Sequence, residues 1–302
     1  MNTIQMRALT KEYGAKTAVD HLTFDVLPGR VTGFLGPNGA GKSTTLRLLL
    51  GLDRATSGTA TVGGLRYTDL EQPLLRVGAL LDAHAAHGSR TARSHLRALA
   101  AANRIPARRV EEVLERTGIA PAADRRIKTY SLGMRQRLGI AAALLGDPGV
   151  ILLDEPANGL DPEGIIWIRE LMRGLAAEGR TVLVSSHLMS ETAAFADHLL
   201  ILGRGRLLAD TPTAAFIEER STPRVRLRTS EPGRLRAALA EAGLEAVEGS
   251  GHWTVEGVRA ERIGALAARE GIPVLELADE QVSLEQAYLD LTAVHAEFTT
   301  AR

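Results

Sequence analysis

Cysteine is absent from the 302 residues, which excludes disulfides and thiolate metal sites but leaves the compartment open. Lysine is nearly absent too: there are four, Lys11, Lys16, Lys42 and Lys128. There is no excess of either charge, with 36 Lys+Arg against 36 Asp+Glu, so net charge gives no general argument for nucleic-acid binding. Long apolar runs are missing as well. The longest candidates are cut by Arg47, by Asp147-Pro148 or by Asp154, short of the roughly 18 to 20 residues that span a bilayer. Met1-Asn2-Thr3-Ile4-Gln5 lacks the basic-then-apolar order of a signal peptide, so the expected location is the cytosol, with any work at a membrane done through a partner. What is there is 45% hydrophobic and 24% charged, ordinary for a folded chain and long enough for one large domain and a small one.

Against that scarcity of lysine, Lys42 stands in Gly36-Pro37-Asn38-Gly39-Ala40-Gly41-Lys42-Ser43-Thr44, which fits G-x-x-x-x-G-K-[ST]. Arg30 to Leu35 reads as a buried strand before it and Thr44 to Leu50 as a helix after it. A triphosphate is held mostly by backbone N–H groups at a helix N-terminus, and glycines let the loop wrap tightly around it. Lys42 is expected to bridge the β- and γ-phosphates, and the Ser43 hydroxyl to complete the coordination of Mg²⁺. Tyr13, ahead of the loop, is a candidate platform for a base, or else a partly buried loop aromatic.

Gly149 to Leu153 is an unbroken apolar run ending in Asp154-Glu155-Pro156. A buried strand that delivers two carboxylates at its C-terminal edge is the expected partner of a phosphate loop. Asp154 is expected in the Mg²⁺ shell and Glu155 as the base or orienter of an attacking water. Thr181 to Val184 is a similar strand ending at Ser185-Ser186-His187, where His187 either senses a γ-phosphate or is a plain loop residue.

Ile4 to Leu9 and Val19 to Val26 read as strands joined by a loop containing Tyr13, with a further short strand over Ala60 to Tyr67. From Pro73 to Leu145 the periodicity is helical, an inserted subdomain. Between Arg90 and Arg137 there are 12 Lys+Arg against 4 Asp+Glu, a balance of +8 in a chain that is otherwise −8. That is either a solvated helical surface or a face towards lipid headgroups or an acidic partner. His84, His87 and His95 nearby fit no zinc spacing. After Ser221-Thr222-Pro223 the elements run β-α-β-β-α-β, the split βαβ order, followed by a helix from Ser283 to about Ala296. RNA readers with this topology need stacking aromatics, and only Trp253 is available, so a regulatory or dimer-supporting domain is expected.

Taken together, these stretches resemble the ATP-binding subunit of an ABC transporter over about residues 1 to 220. Gly36 to Thr44 looks like Walker A and Val150 to Glu155 like Walker B with the catalytic glutamate. Asn158-Gly159-Leu160-Asp161 resembles the D-loop, and His187 the switch histidine. Tyr130-Ser131-Leu132-Gly133-Met134 stands where the signature LSGGQ belongs, with Leu132 in place of Gly and Met134 in place of Gln. The resemblance implies that Ser131, Gly133 and Met134 contact ATP held by a second copy, and that Asp161 belongs to the same interface. At the Q-loop, where a Gln usually touches Mg²⁺ and the transport partner, this chain has Asp82, a candidate anionic ligand. The variants, with a C-terminal extension ending in Ser283-Leu284-Glu285-Gln286-Ala287-Tyr288-Leu289, are similar to those of bacterial exporters for bacitracin, lantibiotics and other drugs.

The expectation is therefore a P-loop ABC ATPase core over 1–220 of α/β class. It combines a mixed sheet with helices, an antiparallel β portion and a helical subdomain at about 73–145, and a small α+β domain follows over 221–302. The resemblance implies a homodimer using ATP and Mg²⁺, peripheral on the inner face of the membrane beneath a separate permease. Two alternatives are a non-transport relative acting on ribosomes or DNA, which would carry paired cassettes or long coiled-coil inserts not seen in this sequence, and a module that holds ATP without turning it over, which Glu155 and His187 argue against.

Overall fold

The computed structural model describes residues 2–187, 192, 194–220, 224–249 and 251–280. The chain divides between Thr213 and Ala214 into two compact units.

In the first unit the apolar runs become strands buried on both faces, as parallel sheets require. β1 (Ile4–Tyr13), β2 (Lys16–Val26), β3 (Val31–Leu35), β4 (Ser57–Val62), β5 (Val77–Leu80), β6 (Val150–Asp154), β7 (Thr181–Ser186), β8 (His198–Gly203) and β9 (Arg206–Pro212) follow in chain order. Six of them form one sheet in the order β5-β6-β7-β3-β8-β9. Only β9 runs antiparallel to its neighbour there. Every residue of β3 is buried, and each buried Leu, Val or Phe contributes about 1.5–3 kcal/mol by leaving water. The other strands form an antiparallel sheet, β2-β1-β4, with Ile4, Met6, Leu22, Phe24 and Val62 turned into a core shared with Phe34, Leu46 and Leu152.

The helices of this unit are α1 (Lys42–Leu49), the single turn α2 (Pro73–Arg76), α3 (Ala92–Ala102), α4 (Arg108–Arg116), α5 (Leu132–Leu144) and α6 (Pro162–Ala177). What positions the site is register. Leu35 lies beside Ser186, and Asp154 beside Ser185, so the chain leaves β3, β6 and β7 at one edge of the sheet.

Three expectations shift. Tyr13 is the last residue of β1 rather than a loop residue. The strand expected over Ala60 to Tyr67 ends at Val62, because Gly63 and Gly64 take φ of +59° and +86° and turn the chain. The stretch from Pro73 to Leu145 is not wholly helical: Val77–Leu80 is an edge strand of the large sheet.

A helix, α7 (Thr213–Arg220), spans the division. The second unit holds β10 (Arg224–Thr229), α8 (Pro232–Glu241), β11 (Ala246–Glu248), β12 (Trp253–Glu256), α9 (Ala260–Arg269) and β13 (Val274–Glu280). Its antiparallel sheet has the order β11-β12-β10-β13, the β-α-β-β-α-β pattern with the first and third strands adjacent in the middle. Val225, Leu227, Leu235, Leu239, Trp253, Val255, Ile263 and Leu266 make its own core. The helix expected from Ser283 lies outside the described residues.

Candidate functional site

The loop between β3 and α1 is held from both sides. The Gly205 N–H donates to the Ala40 carbonyl at 2.9 Å, and the Gly205 carbonyl accepts from the Asp20 N–H at 2.9 Å. This ties the loop to the β8–β9 turn and to β2. The fit leaves no room for side chains at two positions. A Cβ on Gly36 would lie 2.7 Å from the Leu202 carbonyl oxygen, and one on Gly41, where φ is +107°, would lie 2.6 Å from that of Ala18.

A cavity of about 330 Å³ opens over this loop, lined by Tyr13, Lys16, Ala18, Pro37, Asn38, Gly39, Gly41, Lys42, Ser43, Thr44 and Glu155. Lys42, 6% exposed, donates from Nζ to the Gly36 carbonyl at 2.6 Å and stands 3.5 Å from Glu155 Oε1. The other oxygen of Glu155 meets His187 Nδ1 at 2.7 Å. Cation, carboxylate and imidazole thus form one line across the edge of the sheet. Glu155 has φ of +49°, a conformation rare for a residue with a Cβ, and the strain falls where chemistry is expected. Its N–H is held by Ser185, through the carbonyl at 3.2 Å and the hydroxyl at 3.0 Å, while the same hydroxyl donates to the Asp154 carboxylate.

Tyr13 keeps 49% of its surface exposed beside this cavity. Its hydroxyl donates to Asp53 at 3.0 Å, and Lys11 lies 4.7 Å over the ring. Partial desolvation, then the bond to and charge of Asp53, hold the phenol above its ordinary pKa.

The cavity suits a nucleoside triphosphate. It has a helix N-terminus, a cradle that a Cβ would fill, and a buried cation at its base. The Ser43 hydroxyl and the Asp154 carboxylate are hard oxygen donors of the kind that Mg²⁺ accepts while keeping phosphate and water oxygens. Among the described residues no group of three or more His, Asp or Glu is arranged to hold a metal by itself.

The remaining expected residues lie at three other places: the start of α5, the start of α6 and the segment after β5. Ser131 caps α5, its hydroxyl accepting from the Met134 N–H at 3.2 Å. A Cβ on Gly133 would come within 3.1 Å of the Gly159 carbonyl, so the start of α5 rests on the turn at 158–160. Asp161 caps α6 by accepting from the Gly164 N–H at 2.8 Å. Asp82 does not line the cavity over the loop; it lines a groove of about 410 Å³ with Arg47, Tyr67, Leu81, His95, Arg135 and Leu138. Burial, and then the charge of Arg90, hold the His95 imidazole below its ordinary pKa, so it is neutral in that groove.

Sequence reasoning missed Lys16, Ala18, Ser185 and Gln136. The Gln136 amide donates to the Asn158 carbonyl at 3.2 Å and to that of Glu155 at 3.4 Å, pinning the segment after β6 to α5. Gln136 is buried, where a polar residue needs a partner, but its place between Arg135 and Arg137 gives no sign of that in the sequence.

Known proteins resemble this chain in sequence and in fold. The model of the ABC transporter family matches residues 19–158, and a domain of unknown function matches residues 223–285. The bacitracin transport ATP-binding protein BcrA of Bacillus licheniformis is 42% identical over 212 residues, 69% of this chain and 69% of that one. Its namesake in Enterococcus faecalis is 31% identical over 300 residues, covering 95% of this chain and 96% of its own length. The lantibiotic transport ATP-binding protein SrtF of Streptococcus pyogenes is 32% identical over 207 residues, 68% of this chain and 90% of that one. Among solved structures, an ATP-binding subunit of an ABC transporter aligns with a TM-score of 0.65 at 27% identity, covering 72% of this chain and 92% of the other. A dimeric bacterial ABC transporter cassette aligns at 0.64 and 25% identity, covering 70% and 98%.

Proposed function

We propose, from the premise that this chain belongs to the ATP-binding proteins of the ABC transporter family and hydrolyses ATP, that it drives a separate transmembrane permease exporting a drug, antibiotic or peptide. What carries this reading is Glu155 set between Lys42 and His187 over the phosphate loop, in a chain whose relatives are transport ATP-binding proteins. No helix among the described residues is long and apolar enough to cross a membrane, so the bilayer-spanning part falls to the partner.

In this reading the amides of Gly39 to Thr44 and Lys42 bind the phosphates, and Tyr13 supports the base. Ser43 and Asp154 hold Mg²⁺, whose charge offsets that of the phosphates. Glu155 takes a proton from the attacking water, and His187, bonded to its other oxygen, orients it and reads the γ-phosphate. Ser131, Gly133 and Met134 at the start of α5 contact the phosphate held by a second copy, with Asp161 in the same interface.

The groove lined by Asp82 is the proposed seat of the permease, and Asp82 the link from there to the metal site. Asp82→Ala is expected to lose the stimulation of ATP hydrolysis by the co-purified permease in proteoliposomes. Equal stimulation of wild type and variant would make Asp82 merely structural, and a wild-type chain that no co-encoded membrane protein stimulates would remove the transport reading.

The second unit is proposed as a regulatory or dimer-supporting domain. Because each unit has its own core, a chain ended after Arg220 is expected to stay soluble and unfold cooperatively. Thermal denaturation followed by circular dichroism checks this, and loss of a cooperative transition would place the boundary elsewhere.

A further inference from the structure

The arginine excess of the helical region is not spread evenly. Residues 83–110 contain six arginines and no Asp or Glu, and residues 125–146 contain five basic residues and no acid. The fold lays the ends of these two stretches side by side. Thr91 and Arg126 form an antiparallel bridge, the Ile127 N–H donates to the Arg90 carbonyl and the Lys128 N–H to the Gly88 carbonyl, both at 2.9 Å. Gly88 lies against Lys128, where a Cβ would approach within 3.2 Å. Arg90, Arg125, Arg126 and Lys128 are thereby gathered on one exposed patch.

Nearby arginines are already neutralised. Arg93 is paired with Glu111 and Asp124, Arg97 with Glu111, and Arg109 with Glu112 and Asp147. The four of the patch make no ion pair among the described residues. Like charges held together without counter-ions repel, at an effective dielectric near that of water by about 1 kcal/mol for each close pair, so their assembly favours an anionic partner.

We infer that this patch rests on the phosphates of anionic lipid headgroups at the bilayer surface. A headgroup layer is a diffuse array of phosphates, which suits solvated and mobile cations; a site for one small anion needs cations buried and aimed at a point. A permease's own cytoplasmic loops are rich in Lys and Arg and would repel this face. The patch also adjoins the groove assigned to the permease, since Arg90 stands near enough to His95 to act on its charge. The choice of lipid rests on the reading that the chain works beneath a bilayer-embedded partner, but the flotation experiment needs no partner.

The purified chain, saturated with ADP to occupy the phosphate loop, is mixed with vesicles of phosphatidylglycerol and phosphatidylcholine and floated on a density gradient. It is expected to float with these and not with pure phosphatidylcholine, and to detach as salt is raised. Each charge removed lowers partition about five-fold, so changing Arg90, Arg125, Arg126 and Lys128 together to Gln should weaken it roughly several hundred-fold. ATP hydrolysis by the same variant reports that it is folded. Soluble glycerol phosphate at equal phosphate concentration should leave binding unchanged. Flotation with neutral vesicles alike, an unaffected quadruple variant, or displacement by glycerol phosphate would each overturn the proposal. So would a variant that binds vesicles normally yet no longer co-purifies with the permease, which would assign the patch to an acidic protein surface instead. Transport could fail while flotation succeeds, so failure of this inference and failure of the transporter reading are told apart.

Discussion

Glu155→Gln is expected to accumulate with ATP and Mg²⁺ as a closed homodimer while turning ATP over about 10² to 10⁴ times more slowly. The substitution keeps the size and reach of the side chain and removes the charge that takes up a proton. If the start of α5 in one copy contacts the γ-phosphate held by the other, ATP is part of the interface, and blocking its cleavage holds the pair together. Ser131→Arg in the same background places a long side chain at that contact and should abolish the dimer. Ser131 also caps α5, and losing a cap costs about 1 kcal/mol, too little to unfold the chain. The two effects are therefore separable. Sedimentation with ATP and Mg²⁺ decides between them: a monomeric Glu155→Gln protein, or a dimer indifferent to Ser131→Arg, removes the assignment of Tyr130 to Met134 to the trans contact.

Lys42→Ala should have the larger effect on binding. The ammonium is 6% exposed and held among the Gly36 carbonyl and Glu155, so it is positioned before any phosphate meets it. Hydrogen bonds to charged groups contribute about 1.5–3 kcal/mol each, and losing two of them predicts at least a hundred-fold loss of ATP affinity. Truncation also leaves Glu155 bonded to His187 without the Lys42 charge beside it, which changes the base as well as the binding. Equilibrium binding of a fluorescent ATP analogue, with phosphate release as a second readout, measures both; unchanged values would remove the phosphate-loop assignment.

The parts legible in the sequence are those whose chemistry and periodicity are local. Gly36 to Thr44 announces a strand, a tight loop and a helix in consecutive residues. Val150 to Leu153 is apolar because it is covered on both faces, which makes the positions of Asp154 and Glu155 readable from the run itself. In the second unit, short strands and ten-residue helices alternate plainly enough to give the order of elements.

The parts that were not legible depend on register between distant segments. Val77–Leu80 is too short to show any period and owes its strand form to pairing with β6. Ser185 is one more apolar-strand residue until β7 lies beside β6 and its hydroxyl falls between Asp154 and Glu155. Lys16 and Ala18 reach the cavity only because β2 curls over the loop, and the positive φ of Glu155 has no trace in its identity. Asp82, 65% exposed and accepting from the His84 N–H at 2.7 Å, lines a recess apart from the cavity over the phosphate loop, which its place after a four-residue strand does not show.

The clasp on the phosphate loop has a consequence for how this protein fails. Ala40 is bonded to the β8–β9 turn, that turn is bonded to β2, and Gly36 and Gly41 lie within van der Waals reach of carbonyls on both sides. Releasing the loop breaks the Gly205–Ala40 hydrogen bond and loses the packing of Gly36 and Gly41 against Leu202 and Ala18. Opening the loop therefore costs more than opening one that lacks these contacts. A destabilising lesion far from the loop will lower the number of competent molecules and leave the affinity of each survivor intact, so damage to the core is read as lost abundance and not as weakened nucleotide binding.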